Sequence, residues 1–124
     1  DSILRRALKR LPASSGDALG YRLSGKLRDV DYQTLSLDVA DVLAEHDQVN
    51  LLLQIESFEG INLKALWDDV QFGRQYGHSI HKLAIVGDQR WSDWLAKTAQ
   101  PFYAQDSRHF PEEGLDAAWE WLRA

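Results

Sequence analysis

The chain contains no cysteine and no methionine. Without cysteine it can form neither a disulfide nor a thiolate metal site. Its stability must therefore come from an apolar core. Absent thiols suit a reducing compartment, so the expected location is cytoplasmic. No apolar run approaches the roughly 18 residues that a membrane span requires. Positive charge is also short, with 14 Lys and Arg against 19 Asp and Glu and a net charge of −5. Binding to a nucleic-acid backbone needs clustered cations, so no nucleic-acid partner is expected. One local exception is Arg5-Arg6 followed by Lys9-Arg10.

What is present is enough for one domain. A chain of 124 residues can bury about two-thirds of its unfolded surface in a single core. Its centre is the run Leu51-Leu52-Leu53-Gln54-Ile55, which shows no polar alternation. Such a run reads as the heart of a central strand, Val49–Ile55, buried on both faces. A helical pattern follows over about 62–76, with Leu63, Leu66, Trp67 and Val70 on one stripe. Ala65, Phe72 and Tyr76 fall almost opposite that stripe, so this helix is apolar on two faces.

The flanking segments alternate between the two periods. Leu19, Tyr21 and Leu23 read as a half-buried strand. Tyr32, Leu35, Val39, Val42 and Leu43 form a helical stripe, with Asp31, Asp38, Asp41 and Glu45 largely off it. Ile80–Val86 reads as a strand, and the Gly87-Asp88 turn leads into a short helix at about 90–98. Residues 105–110 form a weak, polar edge strand. Glu112 to Arg123 forms the last helix. The N-terminal segment admits two readings. Its periodicity suits a basic amphipathic helix, while the turn chemistry of Pro12 to Gly16 suits a strand over 7–11. Strands alternating with helices imply βαβ crossovers and a largely parallel sheet.

Several pieces together resemble the bacterial SpoIIAA-like proteins of the STAS superfamily. They are Ser24-Gly25-Lys26-Leu27, Asp31-Tyr32, Phe58-Glu59-Gly60, Leu66-Trp67-Asp68-Asp69 and Val86-Gly87-Asp88 with Trp91. The resemblance covers about residues 7–122. It implies one SpoIIAA-like domain across 1–124 and a mixed, mostly parallel sheet of about five strands. About four helices are expected, in the order ββαβαβαβα, with a topology shared with CRAL-TRIO lipid-transfer domains. It also favours the strand reading near the N-terminus. Lipophilic-ligand binding and peripheral membrane association, at the inner face, are the functions it suggests. The chain departs from the wider superfamily in one respect. Anti-sigma-factor antagonists carry a phosphorylatable serine at the start of the helix after the central strand. The matching residues here are Glu59-Gly60-Ile61-Asn62, and Ser57 lies before the turn.

No catalytic constellation stands out, and no enzymatic activity is expected. Asp68 and Asp69 diverge by about 100° on a helix and cannot form a close dyad. His78 and His81 fall on opposite faces of a strand without a nearby acid, so no metal is expected. Ser57, His46 and Asp88 lack the G-x-S-x-G elbow of a hydrolase nucleophile. Asp88 reads as a helix cap, and no cofactor is expected. The aromatic residues are the stronger signal. The expected apolar pocket or lid comprises Phe58, Leu66, Trp67, Phe72, Tyr76, Trp91, Trp94, Leu95 and Phe102. A lipophilic small molecule is the expected ligand. The competing reading is an interaction module or homodimer without a small-molecule ligand, using the face of Ala65, Phe72 and Tyr76.

Overall fold

The computed structural model describes residues 8–24, 29–56, 79–93 and 106–124. The elements run β1 (Leu8–Arg10), β2 (Ala18–Leu23), α1 (Asp29–Leu43), β3 (Val49–Ile55), β4 (Ile80–Val86) and β5 (Asp106–Phe110). A 3-10 turn at Glu112–Gly114 then leads into α2 (Leu115–Arg123). The sheet has five strands in the order β1-β2-β3-β4-β5. β1 pairs antiparallel with β2, and the remaining pairs are parallel. This is the mixed, mostly parallel sheet expected from the sequence.

Turn chemistry wins at the N-terminal end, because Leu8–Arg10 is an edge strand. The chain returns through Gly16, whose φ of 59° is open to glycine at little cost. Ser15 and Ala18 exchange backbone hydrogen bonds of 2.9 and 3.0 Å across that turn. The last helix begins later than its pattern implies. Gly114 N–H donates to the Pro111 carbonyl at 2.8 Å, which tightens the first turn to 3-10. Residues 90–93 are helical, and the expected helix at 62–76 lies outside the described residues.

Strand alternation sorts the core into two clusters. Leu19, Tyr21 and Leu23 of β2, Leu51, Leu53 and Ile55 of β3, and Leu83 and Ile85 of β4 share one face. Leu35, Val39 and Val42 of α1 pack there, and so does Trp91. Asp31 is also buried, although it sits at the edge of the apolar stripe. It lies one turn from Leu35 and is drawn inward with it. On the opposite face Ala18, Leu52, Ala84 and Val86 meet Ala118, Trp119 and Leu122 of α2. A Cβ on Gly20 would stand 2.5 Å from the Trp119 ring, so glycine there lets the indole lie on the strand.

Candidate functional site

Chemistry-bearing side chains gather where β3 and β4 end. This is also where open α/β sheets bind ligands, beyond the carboxyl ends of their strands. β3 delivers Ile55 into the core and leaves Gln54 half-buried and Glu56 exposed. β4 ends at Val86 and leaves the sheet through Gly87. A Cβ on Gly87 would meet the Ile55 carbonyl oxygen at 2.8 Å. Glycine therefore lets this turn press against the end of β3, with Trp91 Cδ1 3.4 Å from the same point.

Asp88 fixes the turn that follows. Its carboxylate accepts the Arg90 backbone N–H at 2.8 Å and Arg90 Nε at 3.1 Å. The side-chain and backbone hydrogen bonds from Arg90 hold this carboxyl below the usual range. The Trp91 N–H then donates to the Asp88 carbonyl at 3.0 Å. Asp88 is thus a cap, as the sequence implied, and its bond occupies an N–H that an anion would need. On the other side of the turn, His109 Nε2 donates to the Gly87 carbonyl at 2.9 Å, and Gly87 N–H donates to the Phe110 carbonyl at 3.0 Å. The ends of β4 and β5 are clamped by these two bonds.

Two different surfaces result. On the α1 side, Trp91 is 1% exposed and shares its cluster with Leu53, Ile55 and Ile85. On the α2 side lies a shallow cleft of about 210 Å³, lined by Gln54, Ile55, Glu56, Val86 and Glu112. Glu56 there pairs with Arg22. The cleft is smaller than the roughly 300–1,000 Å³ of typical small-molecule sites. With two carboxylates and an amide around an apolar floor, it does not suit an acyl chain.

Of the expected pocket residues, Trp91 falls within the described set. Phe58, Leu66, Trp67, Phe72, Tyr76, Trp94, Leu95 and Phe102 lie outside it. The rejected triad is separated by the fold itself. His46 precedes β3 and Asp88 follows β4, so one strand length of roughly 20 Å separates them. Among the described residues no group of His, Asp and Glu is placed to hold a metal ion. Among them, also, no helix is long and apolar enough to cross a membrane.

Sequence reasoning did not find two polar links. Tyr21, buried in the core, donates its hydroxyl to Asp38 Oδ2 of α1 at 2.6 Å. Burial, then that bond, pushes its phenol well above the ordinary value of 10.0. The available signal was a tyrosine on an apolar strand face, which needs a partner for its O–H. The second link is at α2. Two cations approach the Trp121 ring, with Lys82 Nζ 5.3 Å and Arg108 Cζ 5.2 Å from its centre. Lys82 Nζ also donates to the carbonyls of Trp121 and Ala124 at 2.9 and 3.0 Å.

A family model described as SpoIIAA-like matches residues 18–123. Among solved structures, the chain is similar to an uncharacterized protein from the DUF3478 family with a SpoIIAA-like fold, from Shewanella loihica PV-4. The two are 25% identical, with a TM-score of 0.67, over 94% of this chain and 92% of the other. No curated protein matches the chain.

Proposed function

The chain belongs to the SpoIIAA-like family, and we propose that it acts as a non-catalytic module that binds a lipophilic ligand. The observation that carries this reading is the buried apolar floor at the carboxyl ends of β3 and β4. Leu53, Ile55, Ile85 and Trp91 form it, and the Gly87 turn holds the indole against it. The sequence adds aromatic and apolar residues directly beyond these two strand ends. Phe58 follows Ile55 by three residues, and Trp94 and Leu95 follow Trp91 by three and four. In this reading the walls are Phe58, Leu66, Trp67, Phe72, Tyr76, Trp94, Leu95 and Phe102, with Trp91 as the base. The ligand is an acyl or similar chain, taken from or delivered to a membrane by peripheral contact. The acidic cleft on the α2 side takes no part in it.

Native mass spectrometry of the purified protein, before and after organic extraction, tests the proposal. A co-purifying apolar molecule lost on extraction is the expected result. Fluorescent fatty-acid binding should then weaken in Trp94→Ala and Phe72→Ala. If both variants stay folded and bind like the parent, the pocket is elsewhere.

A further inference from the structure

The outer face of α1 plays no part in the proposed ligand site. Leu37 is 67% exposed there, and Val30 is 53% exposed. They stand seven residues apart, and Ala44, also exposed, continues the row. Seven residues span about 10 Å along a helix, so the three form one straight seam. A single exposed leucine needs no explanation, but a heptad row is what a second helix packs against.

The charges beside this seam are of one sign. α1 contains no Lys or Arg. Of its acids, Asp31 is buried, Asp38 accepts from Tyr21, and Asp41 is exposed near Leu37. Glu45 and Asp47 follow immediately. At 100° per residue, Asp41 and Glu45 lie 40° and 80° to one side of Leu37, by helix geometry of about 3.6 residues per turn. Both are exposed, and neither has an ion pair among the described residues. Their position is unfavourable in the free chain. The C-terminal end of a helix carries partial negative charge and favours cations, yet its last turn has none. Helical hydrogen bonding continues to His46, whose N–H donates to the Val42 carbonyl at 2.9 Å, so both acids belong to this end.

We propose that this face is a docking surface for a cationic amphipathic helix of another protein. One partner relieves both costs: its apolar stripe covers Val30, Leu37 and Ala44, and its Lys or Arg side chains meet Asp41 and Glu45. The α1 helix of a second copy does not fit, because α1 against α1 sets acid against acid. An anionic lipid surface is repelled by the same carboxylates.

The test uses the full chain, labelled with nitrogen-15, and a synthetic helical peptide with leucine at heptad spacing and lysine elsewhere. A second peptide carries glutamate in place of lysine. Amide shifts should move at Val30, Gln33, Leu37, Asp41 and Ala44 with the lysine peptide and not with the glutamate one. Leu37→Gln should weaken binding about tenfold, the share of one leucine removed from water. Asp41→Asn with Glu45→Gln should abolish most of the salt dependence. All three positions are exposed, so these variants fold. Shifts confined to the acids of α2, or Leu37→Gln binding like the parent, would overturn the proposal. So would α1 shifts that grow with protein concentration alone, since a second copy then occupies the seam.

Discussion

The two faces of the sheet are built on different plans. The face under α1 is made of large side chains: Leu19, Tyr21, Leu23, Leu51, Leu53, Ile55, Leu83 and Ile85. On the face under α2 the corresponding rows are smaller, with Ala18, Gly20, Ala84 and Val86 around one Leu52. The size difference sets the role of each face. Large aliphatics make a thick apolar layer that spreads across three strands and ends at Trp91. Small residues let a helix of nine residues lie close to the backbone and bring its own bulk, Trp119, to the sheet. One face supplies volume, and the other receives it. The polar side chains divide in the same way. By strand alternation Asn50, Gln54 and Lys82 fall on the α2 face with Leu52, Ala84 and Val86. The α2 face therefore holds a short helix close to the backbone, and the α1 face carries the thicker apolar layer, packed with α1.

The largest effect should come from emptying the thick layer. Trp91→Ala removes a side chain that is 1% exposed and should cost about 3–5 kcal/mol in urea unfolding. A loss below about 1 kcal/mol would mean that the indole does not pack as a floor, and the contrast between the faces would fail. The next largest effect comes from filling the thin layer. Gly20→Ala sets a methyl 2.5 Å from two carbons of the Trp119 ring, and overpacking of this kind costs about 1–3 kcal/mol. Trp119→Leu in the same chain should restore part of that loss, because the two positions share one space. Strict additivity of the two changes would show that the close approach is not what constrains Gly20.

Much of this architecture is visible in the sequence. Val49–Ile55 and Ile80–Val86 are found at their observed bounds, since unbroken apolar runs between turns have few other solutions. Leu35, Val39 and Val42 are likewise read from spacing alone. The N-terminal strand is different. Ile3, Leu4, Ala7, Leu8 and Leu11 have helical periodicity, and Leu8–Arg10 still pairs with β2, because the tight turn at Gly16 brings the segment beside an open sheet edge. Tertiary pairing there overrides local pattern. The Tyr21–Asp38 bond crosses 17 residues of sequence and leaves no short-range trace. For the candidate site, the turn at Gly87 and the Asp88 cap are legible, because steric need and hydrogen-bonding need each select one residue type. Trp91 belongs to an aromatic cluster in the sequence, and its burial in one core cluster with Ile55 and Ile85 joins distant segments in a way that no spacing rule encodes.

Tyr21→Phe sharpens the comparison from the α1 side, by testing how far the thick layer depends on the tie between Tyr21 and Asp38. Loss of a hydrogen bond to a half-buried carboxylate should cost about 1.5–2 kcal/mol at neutral pH, the low end for a charged acceptor. The alkaline behaviour is more specific. The folded phenol titrates above its ordinary value of 10.0, so above that pH the unfolded chain binds fewer protons than the native one. Stability from this group is complete below about pH 10 and falls as pH rises further. Tyr21→Phe should remove that part of the alkaline slope. An unchanged slope would place the titration elsewhere.

The smallest effect is expected at Lys82, on the α2 side. Lys82→Met keeps the side-chain stem but removes the charge over Trp121 and the donor to the carbonyls of Trp121 and Ala124. Arg108 stays 5.2 Å from the same ring, so half of the cation–π arrangement survives. A helix cap and one exposed cation–π contact together should cost about 0.5–1.5 kcal/mol. Hydrogen exchange gives the sharper readout. If the faces are independent layers, faster exchange should stop within α2, at the N–H groups nearest its C-terminal end. If Lys82→Met also loosens α1 and β2, the two faces share one cooperative unit through the strands between them. The ligand proposed for one face would then be sensed at the other.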